Sequence, residues 1–538
     1  MARPCPHPLA LFSLFPYKGN ERAERLVSHS NNNHNVSTLS DGTLALDVGF
    51  HLRGKSSKTL ATLGRGVDAD IYVEGSGISR VQCSFEIDLD TGVVMLYDRS
   101  FANSTQVFGE NATPFERERD QRKVLVQKGL NTIIGIGGER RDLVQFQLEW
   151  HQDPTQTAET IKDYDTFPCG RVENPRLART VNEAPTDLPS RRETRPHTPG
   201  QRQLKMRYVV RGMLGSGQYG EVHKAIDVDS GKFMAVKILE QPSRKSKQED
   251  WKISLYYAFK REVETLSNIS HPYVVDYIAS QGWDGPKVEI FMGLKEGTLE
   301  SLVESGADAS TIANSVFPQM LQALDCIAWK GIIHRDVKPE NILYILQPDG
   351  QYQFQLGDFG LCNRAVDATT HAGSDLYMAP EMYQEGDQTH KVDVWSLFVT
   401  MLWILDAGEF RQRSNRFKTI AEVRRAVLSA ASNVDSVSKI REMAIVNPEE
   451  RASAAQMLVK YFDGAGLSTP RNQVPALTTS PSPTIAAART RTTQTKPRGL
   501  QMNANIFAAA QYRVEKARGP LQAKPFRRLQ EIRPKTTG

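Results

Sequence analysis

The stretch that decides the fold reads His334-Arg335-Asp336-Val337-Lys338-Pro339-Glu340-Asn341. It sets a carboxylate, an ammonium and an amide within six residues. Downstream lie Asp358-Phe359-Gly360 and Ala379-Pro380-Glu381; upstream lie Gly215-Ser216-Gly217-Gln218-Tyr219-Gly220 and Ala235-Val236-Lys237. The glycines fall between two predicted strands, where residues without Cβ let backbone N–H groups approach phosphate oxygens. Lys237, on the second strand, brings a cation within reach of the same phosphates. Phe259, Val263, Leu266 and Ile269 form one apolar face of a predicted helix, and Glu262 sits on the adjoining polar face, available to Lys237. One such motif arises by chance; five in this order across residues 212–381 do not.

In this order the motifs resemble the eukaryotic protein kinases. The resemblance implies a two-lobed α+β fold, strand-rich then helix-rich, with a cleft between the lobes. It implies an ATP- and Mg²⁺-dependent enzyme acting on protein serine and threonine. Leu214, Gly215, Ser216, Gly217, Gln218, Tyr219, Gly220 and Val222 would cover the nucleotide. Ala235, Lys237, Glu262, Met292 and Leu294 would complete its site. Asp336 would accept the proton of the substrate hydroxyl, and Lys338 would neutralise the phosphate in transit. Asn341 and Asp358 would hold Mg²⁺, a hard cation suited to amide and carboxylate oxygens. A lysine two residues after the catalytic aspartate is the serine/threonine pattern. Glu340 suits a basic residue upstream of the phosphosite, although Thr298 stands where many basophilic kinases carry glutamate. Asp393 resembles the aspartate that braces the catalytic loop, and Glu381 with Arg451 the ion pair that locks the lower lobe. Phe398 stands where a glycine is common. Thr369 and Thr370 are the expected regulatory phosphosites, and Ser374 is expected to be structural.

Before this unit, from about Ala45 to Trp150, short apolar stretches alternate with turn residues, the spacing of an antiparallel β-sandwich. Leu63-Gly64-Arg65, Ile78-Ser79-Arg80-Val81-Gln82-Cys83 and Asn103-Ser104-Thr105-Gln106-Val107-Phe108-Gly109 resemble the forkhead-associated (FHA) domain. Gln82 and Ser104 replace the histidine and glycine of that pattern. The resemblance implies phosphothreonine binding, because a phosphate of charge about −1.5 to −2 needs an arginine and neutral donors. Arg65 and Ser79 would grip the phosphate, Arg80 would assist, and Asn103 would hold the peptide backbone.

The fold class expected is therefore multidomain: an all-β FHA-like sandwich, then a two-lobed kinase fold, with disordered linker and tails. The expected boundaries are 1–42 disordered, 43–150 FHA, 151–206 linker, 207–463 kinase and 464–538 basic tail. Over 538 residues the apolar share is 39%, below the usual globular 45–50%, in keeping with disordered segments diluting a core. The net charge of +5 conceals an asymmetry: residues 464–538 carry +11 and the remainder −6. Such a tail suits nuclear import, nucleic acid or acidic partners. Five scattered cysteines with no C-x-x-C pair exclude a disulfide framework and a cysteine zinc site. Val394–Leu405 is too short to span a bilayer, so no membrane partner is expected.

FHA-plus-kinase order resembles the checkpoint and meiotic-recombination kinases of fungi and animals. Residues 1–44 lack clustered Ser-Gln or Thr-Gln sites, which leans toward the meiotic branch. The expected partners are protein substrates and a phosphothreonine-bearing adaptor or second copy, in the nucleus. Two rival readings remain: a phospho-reading scaffold with an inactive kinase fold, and a nucleic-acid binder working through the tail.

Overall fold

The computed structural model describes residues 2–52, 58–116, 121–138, 143–157, 205–217, 220–241, 260–359, 363–364, 375–383 and 388–477. It divides into two compact units, Met1–Glu240 with Gln281–Phe291, and Gln241–Ser280 with Met292–Gly538.

The first unit begins with β1 (Ala10–Pro16), α1 (Glu21–Val27), β2 (Val36–Thr38) and β3 (Leu44–Gly49). There follow β4 (Thr59–Gly64), β5 (Ile71–Tyr72), β6 (Cys83–Ile87), β7 (Val94–Asp98), β8 (Thr105–Phe108), β9 (Lys123–Leu125), β10 (Ile133–Ile136) and β11 (Val144–Trp150). These make two sheets, ordered β2-β3-β1-β11-β10-β8 and β5-β4-β6-β7-β9. In β11, buried Val144, Phe146 and Leu148 alternate with half-buried Gln145 and Gln147, so one face packs inward.

The N-terminus corrects the sequence reading. Residues 1–42 were expected to be disordered, yet β1 lies inside the first sheet, with Leu14 opposite both Leu148 and Leu46. Leu11, Phe12, Ser13 and Leu14 are all fully buried, and α1 packs against the strand. Burial on both faces removes the alternation by which a strand is recognised.

A five-stranded sheet follows, made of β12 (Tyr208–Gly217), β13 (Gly220–Asp227), β14 (Phe233–Glu240), β15 (Tyr277–Gln281) and β16 (Lys287–Gly293) in the order β12-β13-β14-β16-β15, with β12, β13, β14 and most of β16 in the first unit. Ile226, near the end of β13, and Val228, just past it, belong to the core of the sandwich. Most of the expected linker, residues 158–204, lies outside the described residues. Its two ends are held. His151 N–H donates to Leu11 O at 2.9 Å. Buried Met206 donates its N–H to Gln281 Oε1 at 2.8 Å.

The second unit holds α2 (Lys260–Ser267), β17 (Gly297–Thr298), α3 (Leu299–Glu304), α4 (Ala309–Trp329) and β18 (Ile332–Ile333). It continues with β19 (Ile342–Leu346), β20 (Tyr352–Leu356), β21 (Asn363–Arg364), α5 (Lys391–Leu405), α6 (Ile420–Asn433) and α7 (Ala454–Phe462). Asp308 caps α4 by accepting the Thr311 N–H at 2.8 Å. Every residue of α5 from Val392 to Ile404 is buried, including Phe398. Among the described residues no helix is long and apolar enough to cross a membrane.

The C-terminal boundary also moves. The folded unit was expected to close at 463, but the described chain continues to 477 as a strap over α4 and α7. Asp325, 1% exposed on α4, accepts the Ser468 and Thr469 N–H groups at 2.7 and 3.0 Å and Thr469 Oγ1 at 2.6 Å. Gln456 donates to Pro475 O at 3.1 Å, and Leu467 and Leu477 pack on the core. The rest of the basic tail, 478–538, lies outside the described residues.

Candidate functional sites

In the first unit, β12 and β13 form a hairpin closed by the glycine-rich stretch. Leu214, Gly215, Ser216 and Gly217 end β12, while Gly220 and Val222 begin β13; Gln218 and Tyr219 lie outside the described residues. Gly220 has φ +142°, and a Cβ there would stand 2.2 Å from Ile238 O, so only glycine fits. Val222 is in register with Lys237, and Lys224 with Ala235. Lys237 is 8% exposed, an ammonium held in the sheet instead of one spread into solvent.

In the second unit the catalytic loop hangs from one buried carboxylate. Asp393, near the start of α5, accepts the His334 N–H at 2.8 Å and the Arg335 N–H at 2.7 Å. Burial pushes its carboxyl up from the ordinary range, while those N–H groups and nearby His334 and Arg335 pull the other way. His334 bonds Gly357 O through Nε2 at 2.9 Å and meets the Phe359 ring edge-on at 4.7 Å. The loop that ends in Asp336 is thereby fixed to the segment that ends in Asp358. Arg335 and Asp358 adopt φ +73° and +52°, conformations that non-glycine residues keep only where the surroundings enforce them.

Asp336, Lys338 and Asn341 converge. Lys338 Nζ lies 2.8 Å from Asp336 Oδ2, and Asn341 Nδ2 donates to Asp336 O and Oδ2, each at 2.8 Å. With its amide nitrogen so engaged, Asn341 offers its carbonyl oxygen to a cation, and the Asp358 carboxylate is exposed. This oxygen pair fits Mg²⁺, which takes one or two protein oxygens and completes its shell with water and phosphate. Among the described residues no group of three or more His, Cys, Asp or Glu would hold a metal unaided.

Glu381 and Arg451 form the expected pair, Nη2 to Oε2 at 2.8 Å, with Arg451 fully buried and its guanidinium 5.1 Å from the Trp395 ring. Met292 and Leu294 are half-buried at and just after the end of β16. Glu262 falls on α2, with its side chain outside the described residues, and Thr369, Thr370 and Ser374 lie outside them as well.

Beside Lys338 lies an acidic group that the sequence only half revealed. Burial, then Glu340 and Glu304, raise the Glu300 carboxyl above the ordinary range. Burial, then Glu340, Glu300 and Asp336, push the Tyr377 phenol up. Glu340 and Glu300 therefore face one region next to Asp336. Glu300 was missed because it belongs to a separate helix, α3, with no local motif.

At one end of the sandwich the phosphate-binding candidates meet. Arg65, exposed, donates from Nε to Ile78 O at 2.6 Å, and its N–H reaches Ser79 O at 3.1 Å. Fully buried Gln82 accepts the Ser79 N–H at 2.9 Å and donates from Nε2 to Ser104 Oγ at 2.9 Å and Thr105 Oγ1 at 3.2 Å. An amide carries an acceptor and a donor, so it bridges the loops where the FHA pattern has histidine. Arg80 and Asn103 are exposed beside them, Asn103 at φ +53°. Sequence reasoning missed Arg122, which reaches the Asn103 and Thr105 carbonyls at 3.2 and 3.3 Å from outside every motif.

Comparison with known proteins agrees with this geometry. Residues 208–462 match the family model for the protein kinase domain, and residues 61–128 match the model for the FHA domain. The chain carries an FHA domain followed by a protein kinase domain. It is 27% identical over 263 residues to calcium/calmodulin-dependent protein kinase type 1 of Macrobrachium nipponense, covering 47% of this chain and 73% of that protein. It is 27% identical over 274 residues to CBL-interacting serine/threonine-protein kinase 15 of Arabidopsis thaliana, covering 49% and 62%. It is 28% identical over 303 residues to MAP kinase kinase kinase SSK2 of Saccharomyces cerevisiae, covering 48% and 19%. The chain thus spans less than two thirds of the latter two.

Proposed function

We propose that this protein transfers the γ-phosphate of ATP to serine or threonine of protein substrates and is recruited through phosphothreonine bound by its FHA domain. The observation that carries the reading is the convergence of Asp336, Lys338 and Asn341 on a loop fixed by Asp393. Bound Mg-ATP would supply the phosphoryl group and the neutralising cation. Asp336 positions the substrate hydroxyl and takes its proton, Lys338 offsets charge on the moving phosphoryl group, and Lys237 holds the phosphates that remain. Asn341 and Asp358 would supply the oxygens that hold the metal. An inactive scaffold is disfavoured because Lys237, Asp336, Asn341 and Asp358 are all present.

Glu300 and Glu340 support a basic residue upstream of the phosphosite, since two carboxylates whose charges disfavour each other gain most from a cation. The partner on the FHA side is a phosphothreonine adaptor or a second copy of this chain, and Thr369 and Thr370 are the activation sites we assign. The domain order and the basic tail support a nuclear role in checkpoint or meiotic-recombination signalling. Phosphosite mapping of the wild type beside Asp336→Asn, both expressed in bacteria, tests the reading. The wild type should carry phosphate at Thr369 or Thr370 and the variant none; equal phosphorylation would refute it.

A further inference from the structure

Arg122 stands at the entry to β9 and grips the loop that carries Asn103. Its Nε donates to Asp98 Oδ2 at 3.0 Å, and its Nη2 to Asn103 O and Thr105 O. Its guanidinium also lies 5.1 Å from the centroid of the Phe115 ring. One residue back, Pro114 O accepts a hydrogen bond from Arg207 Nη1 at 2.6 Å. Arg207 introduces β12 of the kinase sheet. It forks its other nitrogens onto Asp229, 1% exposed, with Glu116 Oε1 3.7 Å away.

A second route runs along the backbone. Leu125 N–H, at the end of β9, donates to Val228 O at 2.7 Å, while Val228 N–H donates to Arg207 O at 2.9 Å. Val228 immediately follows β13, whose other end is Gly220 of the glycine hairpin and whose Val222 faces Lys237. The turn after β13 is pressed against β7: Gly231 has φ +75°, and a Cβ there would meet Met95 Sδ at 2.8 Å. On the outer edge Arg211 bonds Gln127 Oε1. Ile226 and Val228 are buried in the sandwich core, which a freely tethered domain would leave in water.

We propose that the FHA sandwich is seated on the kinase sheet of its own chain, and that Arg122 and Arg207 are positioning residues through which phosphopeptide occupancy sets nucleotide affinity in cis. This rests on the reading of the sandwich as a phosphothreonine binder. A peptide that fixes Asn103 fixes two of the acceptors of Arg122. The Phe115–Pro114 loop and β9 carry that order to Arg207 and Val228, and so to the strand that ends in the hairpin. Ordering already supplied by the first ligand need not be supplied by the second, so the coupling is positive. Being a coupling between two binding sites, it is also reciprocal.

The test uses the full chain, diluted until sedimentation shows a monomer. The probe is the tightest peptide from an oriented phosphothreonine library, beside its unphosphorylated twin. The phosphorylated peptide should lower KM for ATP with a smaller change in kcat and lower the Kd of a non-hydrolysable ATP analogue about fivefold, and that analogue should tighten peptide binding by the same factor as its own Kd falls. Arg207→Ala should still bind the peptide and lose the KM shift. Because that variant leaves buried Asp229 without its guanidinium, the Arg211→Ala/Gln127→Ala pair, at a more exposed edge, is measured in parallel and should shrink the shift. Wild type that binds the peptide with KM unchanged overturns the coupling and spares the phosphopeptide reading. Full shifts in both variants overturn the route. If no phosphothreonine peptide binds, the reading of the sandwich fails and the coupling falls with it.

Discussion

Gln82 is the residue on which the proposed phosphopeptide site turns. Gln82→Ala removes an acceptor for the Ser79 N–H and a donor shared by Ser104 and Thr105, three bonds of 2.9, 2.9 and 3.2 Å around a fully buried amide. Each unmet buried partner costs about 1–3 kcal/mol, with the low end applying to Ser79 because water reaches it. The domain should therefore lose about 2–4 kcal/mol of stability. The loops carrying Ser79 and Asn103 would then have to be ordered by the ligand itself, and about 1.4 kcal/mol of that cost weakens binding tenfold. Calorimetric titration of the full chain with a phosphothreonine peptide, alongside hydrogen exchange at Ser79 and Ser104, measures both effects. Gln82→His should recover most of the loss, since imidazole also offers one donor and one acceptor. Unchanged affinity and exchange in Gln82→Ala would refute the bridging role.

Three further outcomes are expected. Ending the chain at residue 463 should destabilise the kinase domain by about 3–5 kcal/mol, because the buried Asp325 carboxyl loses every Ser468 and Thr469 donor; urea unfolding of chains ending at 463 and 477 reads this. The sandwich should weaken in mild acid. Burial holds His51 down at about 4, against an ordinary 6.5, with His7 stacked on it at 4.4 Å and Arg3 and Asp47 facing the pair. A depressed imidazole costs nothing above pH 6.5 and progressively destabilises the fold as pH falls toward 4, by about 2 kcal/mol at pH 5, and His51→Phe should flatten that slope in pH-dependent melting. Glu340→Gln together with Glu300→Gln should raise KM for peptides with an upstream arginine and leave arginine-free peptides unaffected in steady-state assays.

The catalytic loop was legible because phosphoryl transfer demands particular residue types at fixed short spacing. Asp336, Lys338 and Asn341 fall where the motif puts them, and Glu381 finds Arg451 as expected. What escaped depends on distance along the chain. Ser13 and Leu14 were unreadable as a strand because their partners, Asp47, Leu46 and Leu148, are brought by β3 and β11. Ser468 and Thr469 read as tail because Asp325 lies more than 140 residues earlier. Gln82 departs from the FHA pattern in name only, since what the site needs is an acceptor and a donor at one buried position. Arg122, Arg207 and Glu300 carry no signature, because an isolated charged residue reads as surface until its partners are in view.

Phosphoryl transfer by this chain stands or falls with Asp358, and Asp358→Ala is the variant that decides it. The exposed Asp358 is held on a segment bonded to the catalytic loop through His334 and Gly357, so the substitution removes the oxygen donor we assign to the metal without opening the core. The measurement is the initial rate of transfer from labelled Mg-ATP to a serine/threonine peptide by the purified full-length wild type and variant. Transfer by the wild type and a loss of about 10²-fold or more in the variant are expected, the scale on which removed transition-state charge stabilisation acts. Near-full activity in Asp358→Ala would contradict it.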